Sequence, residues 1–104
     1  MNQAAFEAYT ANLLRQSADL LVSKGREYAG SEDRLANFKR GAAATGTTAE
    51  TVALIYLTKH LDAIQSYVRD GRMGAEPIQG RIADLLNYVV LLGALICERE
   101  TKEA

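Results

Sequence analysis

Arg81, Asp84, Asn87 and Tyr88 recur at intervals of three and four, so on a helix they form a single row. Lys59 and Asp62, three residues apart, make a second polar patch of the same kind. The first row runs on into Leu91 and Leu95, which makes it half buried, and a half-buried charge needs a ligand or a partner charge. Carboxylates on successive helical turns can hold a divalent cation through oxygen, whereas lysine or arginine at such places binds phosphate directly. Taken pair by pair, the simplest reading is two weak salt bridges within helices, Lys59 to Asp62 and Arg81 to Asp84. A third polar stretch, 24–38, holds Lys24, Glu27, Asp33, Arg34 and Asn37 and is the part of the chain least explained by packing. Several such residues on two neighbouring helices and a charge-dense loop shift the balance toward a binding cleft between helices.

The elements that must position these groups are helical. Pro77 suits the first turn of a helix and Glu76 can accept from its free N–H groups. From there Ile78, Ile82, Leu85, Val89, Leu92 and Ile96 draw an apolar stripe that requires a partner. The partner stripe is Leu54, Leu57, Leu61, Ile64 and Val68, on a helix opened by a capping box at Thr47-Thr-Ala-Glu50 and stopped at Gly71. The short connection 70–75, with Gly71 and Gly74, makes these two helices antiparallel neighbours. Upstream, Phe6, Tyr9, Leu13, Leu20 and Leu21 fit a first amphipathic helix that Gly25 weakens or ends. A short second helix follows, capped by Ser31, turning Leu35 and Phe38 inward and stopping at Gly46. The pattern predicts one all-α domain over 1–104, with helices near 3–25, 32–45, 48–70 and 77–100 and the last two as a central antiparallel hairpin.

Composition sets further bounds. At 24% charged and 48% apolar the chain reads as one soluble globular domain, small enough that self-association is a natural way to cover surface. Helix four is the expected interface, through Leu86, Val90 or Gly93. A formal charge of −1 gives no general pull toward nucleic acid polymers or anionic membranes, so any phosphate site must be local. The longest apolar run, Leu85 to Cys97, is interrupted by Asn87 and is shorter than the roughly 20 residues that span a bilayer, which predicts a core helix. A lone cysteine and the lack of an export signal point to the cytoplasm.

The ordered set Lys24-x-x-Glu27-Tyr28-Ala29, Asp33-Arg34-Leu35-x-Asn37-Phe38-Lys39, Lys59-His60 and Arg81-Ile82-x-Asp84-x-x-Asn87-Tyr88 resembles small phage-encoded proteins grouped with the MazG-like, all-α nucleotide pyrophosphohydrolases. The resemblance covers about Lys24 to Glu98. It implies a helical dimer or tetramer that binds a nucleotide between helices in the host cytoplasm. In active relatives, it implies cleavage of a nucleoside triphosphate to monophosphate and pyrophosphate with Mg2+. On that basis Glu27, Asp62 and Asp84 would be catalytic, with Asp62 and Asp84 the metal ligands. Lys24, Asp33, Arg34, Asn37, Lys59, His60, Arg81, Asn87 and Tyr88 would contact the ligand. The family pattern has Glu-x-x-Glu on one helix and Glu-x-x-Asp on the next. Here the corresponding places hold Lys59-x-x-Asp62 and Arg81-x-x-Asp84, so each pair keeps its second acid and has a cation for its first.

Each candidate also has a plainer reading. Glu27 and Asp33 could be solvated loop carboxylates, Asn37 a brace, Tyr28 and Tyr88 core aromatics and His60 a structural histidine between Leu57 and Ile64. One His and one Cys are too few for zinc. Three functions follow in order: a nucleotide pyrophosphohydrolase, a protein that captures a signalling nucleotide without cleaving it, and a helical adaptor for another protein.

Overall fold

The computed structural model describes residues 1–28, 33–72 and 77–103, the side chains of 27, 28 and 103 aside. Its regular structure is four helices: α1 (Gln3–Tyr28), α2 (Ala36–Thr45), α3 (Ala49–Asp70) and α4 (Ile78–Glu103). No strand occurs among the described residues. The expected Ser31 cap, the Glu76 acceptor and Gly74 lie outside them.

Local chemistry explains most of the boundaries. Asn2 starts α1 by accepting the N–H of Ala5 through Oδ1 at 2.9 Å. That helix does not stop at Gly25 but continues to Tyr28. Asp33 accepts the N–H of Leu35 at 3.0 Å, and α2 opens only at Ala36, later than residue 32. Gly46 and Gly71 close α2 and α3 in the left-handed conformation, at φ 68° and 74°, where a side chain would be strained. At the start of α3 the capping threonine is Thr48, which accepts from the N–H of Thr51 at 3.2 Å, so the cap falls one residue after Thr47 of the expected Thr47–Glu50 box.

The helix directions can be read from the contacts. His60 meets Arg81, and Tyr56 stacks on Tyr88, so numbers fall along α3 as they rise along α4 and the two run in opposite directions. Tyr9 donates to Gln79 and Ser17 to Asn87, so numbers rise together and α1 lies parallel to α4. α2 packs on α3. The core gathers where α2, α3 and α4 converge: Leu35, Phe38, Ala53 and Leu95, with Val52, Tyr88, Leu91 and Leu92 packed around them.

Which face of each helix turns inward differs from the sequence expectation. On α3 the buried positions are Ala53 and His60, whereas Leu54, Leu61 and Val68 of the predicted stripe are exposed. On α4 the predicted stripe loses Val89 and Ile96 to solvent, and the inward row is Ala83, Asn87 and Leu95. The half-polar row of α4 is therefore its core row. Small and polar residues allow helices to approach closely and bond to one another, which a count of apolar side chains at helical spacing does not detect. By length and composition α4 could cross a membrane over Ile78–Lys102, more than the run Leu85 to Cys97 suggested. In this fold it is the helix on which both α1 and α3 pack.

Candidate functional site

The row Asp84, Asn87, Tyr88 opens onto a cavity of about 380 Å3 to which all four helices contribute. Lys24 enters it from α1, Arg34 from the turn before α2 and Asn37 from α2. Six residues singled out in the sequence thus converge on one volume. Apolar walls come from Leu20, Phe38, Val52 and Leu91, and Tyr56 of α3 adds an aromatic edge. The volume lies at the lower end of the range for small-molecule pockets, about 300–1,000 Å3.

Arg34 is fixed by an arrangement the sequence did not reveal. Its Nη2 donates to the carbonyl oxygen of Leu21 at 3.3 Å. A β-carbon on Gly25 would lie 2.6 Å from the Arg34 Nε, closer than non-bonded atoms tolerate. Gly25 is thus the gap in α1 that lets the guanidinium lie against the helix and reach the cavity.

The two amides differ. Asn87 is buried, and its Oδ1 accepts a hydrogen bond from the hydroxyl of buried Ser17, which ties α1 to α4 beneath the cavity. Ser17 was not foreseen. Its only signal is its place one turn after Leu13 and one turn before Leu21, on the inward side of α1. Asn37 has a buried Oδ1 with no hydrogen-bond partner among the described residues. A buried amide in that condition bears a cost that a bound hydrogen-bonding group would relieve.

Tyr88 is both wall and core. It stacks on His60 with ring centroids 5.3 Å apart and on Tyr56 at 5.7 Å, and meets Phe38 edge to face at 6.5 Å. His60, only 8% exposed, turns inward: its Nδ1 lies 3.3 Å from Arg81 Nη1 and 3.8 Å from Asp84 Oδ2. His60 and Arg81 therefore stand behind Asp84 and Tyr88 as braces and do not line the cavity.

Other predicted residues lie elsewhere. Lys59 and Asp62 line a separate hollow on α3 with Thr51, Leu54, Ile55 and Thr58, so they do not meet the Arg81–Asp84 row. Asp33 joins a surface chain of charges in which Lys39 Nζ lies 2.6 Å from Asp33 and 2.7 Å from Glu98, with Lys102 3.4 Å from Glu98. The hydrogen bond from Lys39 lowers the pKa of Asp33, helped by the Leu35 N–H, and lowers that of Glu98. The bonds to Asp33 and then Glu98 raise that of Lys39. The side chains of Glu27 and Tyr28 lie outside the described residues.

Among the described residues, two cations, one carboxylate, two amides and an aromatic wall suit an anion attached to a flat, hydrogen-bonding group. Magnesium fits less well. Among the described residues no three His, Cys, Asp or Glu side chains are grouped to hold a metal, and Asp62 and Asp84 sit on different surfaces. The sequence matches no protein-family model, and neither a curated protein nor a solved structure matches it.

Proposed function

We propose that this chain binds a small phosphorylated nucleotide in the four-helix cavity and holds it without cleaving it. The observation that carries the reading is the convergence of Lys24 and Arg34 on a cavity that also holds Asn37, Asn87 and Tyr88. Lysine supplies a point charge and arginine a planar fork, and together they suit phosphate oxygens. The Asn37 amide and the Tyr56–Tyr88 aromatic surface suit a base, one by hydrogen bonding and the other by stacking. Asp84, the cavity's carboxylate, is placed to accept from a ribose hydroxyl or a base amino group.

A second reading, magnesium-assisted pyrophosphohydrolysis, rests on the ordered resemblance to MazG-like proteins. It would need Glu27 or Glu76 to join Asp84. The same resemblance supports a MazG-like helical hairpin, a phage-borne origin, a homo-oligomer and a place in the host cytoplasm. An adaptor role would use the outer helix faces.

The deciding experiment incubates the protein with nucleoside triphosphates and cyclic nucleotides, with magnesium or with chelator, and identifies what is released on heating. Intact nucleotide recovered from chelator-treated protein supports capture. Pyrophosphate and monophosphate formed only with magnesium would replace it with hydrolysis, and no retained or cleaved nucleotide would leave the adaptor role.

A further inference from the structure

The cavity has two chemically different ends. Tyr9 bonds to Gln79 and Ser17 to Asn87, a constant offset of 70 residues between the parallel helices α1 and α4. Continued along α1, that register sets Lys24 level with Ala94, ten residues beyond Asp84 and so about 15 Å from it along the axis of α4. Arg34 stands at the Lys24 end, since its guanidinium bonds to the Leu21 carbonyl and lies against Gly25. Both cations thus mark one end of the cavity and its carboxylate the other, where Asn87 and Tyr88 adjoin Asp84 on the next turn of α4. Phosphate belongs with the cations and is repelled by Asp84. In a nucleotide the sugar lies between phosphate and base, so the group that reaches Asp84 is the base. On the footing of the nucleotide capture proposed above, we propose that Asp84 selects guanine, accepting from its N1–H and its 2-amino group together.

The donor and acceptor inventory carries the choice. An ionised carboxylate can only accept hydrogen bonds. The Asp84 side chain is 31% exposed, and its ionic contact among the described residues, His60 Nδ1 at 3.8 Å from Oδ2, is beyond hydrogen-bond length. Its accepting capacity is therefore open to a ligand. Guanine sets two donors side by side on its pairing edge, and one carboxylate matches such a pair with two parallel bonds, as it matches an arginine fork. Other bases match it poorly. Adenine and cytosine place a ring nitrogen lone pair beside their amino group, and uracil places its N–H between two carbonyls, so each turns an acceptor toward the carboxylate. Asn87 completes the pattern for guanine. Ser17 donates to its Oδ1, which leaves the Nδ2 hydrogens as donors to the 6-carbonyl of the base. Tyr56, 48% exposed, offers a ring face for stacking at the same end.

Calorimetric titration of the full chain in chelator tests this with the 5′-mono- and triphosphates of guanosine, inosine, xanthosine, adenosine, cytidine and uridine. Guanosine nucleotides should bind most tightly. Inosine nucleotides, which lack only the 2-amino group, should bind about 10- to 100-fold more weakly. Asp84→Asn should invert the order of guanosine and xanthosine nucleotides, because its amide N–H meets a 2-amino group in the first and a 2-carbonyl in the second. A merely structural role for Asp84 would lower affinity for every base and leave the order unchanged. Inosine, adenosine, cytidine or uridine nucleotides bound as tightly as guanosine nucleotides overturn the assignment and leave capture standing. So does a folded Asp84→Asn protein that still ranks guanosine above xanthosine. If that variant unfolds, the ranking of guanosine over inosine by the native chain decides. No binding of any nucleotide overturns capture and the guanine assignment together.

Discussion

Ser17 and Asn87 show how much a single buried polar pair decides. The hydroxyl of one and the amide of the other lie between α1 and α4 with almost no exposure, and Asn87 also forms part of the cavity wall. Ser17→Ala leaves the Asn87 oxygen without that donor, which should cost about 1–3 kcal/mol of stability. Chemical denaturation should show the loss, and the doubly substituted Ser17→Ala/Asn87→Leu should recover part of it. A single variant as stable as the parent would mean the pair is solvated. Lys24 and Arg34 act differently, since their packing leaves them at the cavity, where their charges would meet the ligand proposed for it. His60 belongs to the structural group, held between Tyr88, Arg81 and Asp84.

Gly25 links helix α1 to the cavity. Replacing it with alanine improves helix propensity by about 1 kcal/mol. The new β-carbon would occupy the space now filled by the Arg34 side chain. Gly25→Ala should therefore keep or raise thermal stability while weakening nucleotide binding, and a variant that bound like the parent would remove Arg34 from the site. The charges joining α4 to the segment before α2 predict an acid response. Asp33 and Glu98 have lowered pKa values in the folded chain, so their contribution is complete above the ordinary carboxylate range, about pH 4–5, and is lost as pH falls below it. Lys39, with a raised value, contributes fully at neutral pH, where Asp33 and Glu98 are ionised, and loses its share only as pH rises above about 10.5. Lys39→Met should flatten the acid limb of a stability–pH curve, and an unchanged limb would show solvent screening to be complete. The elements themselves were legible, because Pro77, Gly46, Gly71 and a threonine cap punctuate the chain where helices begin and end. Their inward faces were not, because Ala53, Ala83 and Ser17 bury closely without contributing much hydrophobicity. The candidate site was legible as far as Asp84, Asn87 and Tyr88 of α4 and Lys24, Arg34 and Asn37 upstream. Lys59 and Asp62 were misplaced because their periodicity fixed a common face but not which way that face turned.

For the molecule as a whole, α4 is the shared element: one side completes the cavity with α1, α2 and α3, and Val89, Val90 and Ile96 on the other are exposed. Capture requires that the cavity recognise a phosphorylated nucleotide through its own side chains without metal. The most direct measurement is the thermal midpoint of the native chain and of Arg34→Ala in chelator, against nucleoside mono-, di- and triphosphates, cyclic nucleotides and the unphosphorylated nucleosides. A ligand at a hundred times its Kd stabilises by about 2.7 kcal/mol, which for a domain of this size raises the midpoint on the order of 10 °C. Such a rise is expected for at least one phosphorylated nucleotide, a much smaller one for its nucleoside, and loss of the difference in Arg34→Ala. No rise with any nucleotide, or an equal rise in the native chain and Arg34→Ala, would contradict it.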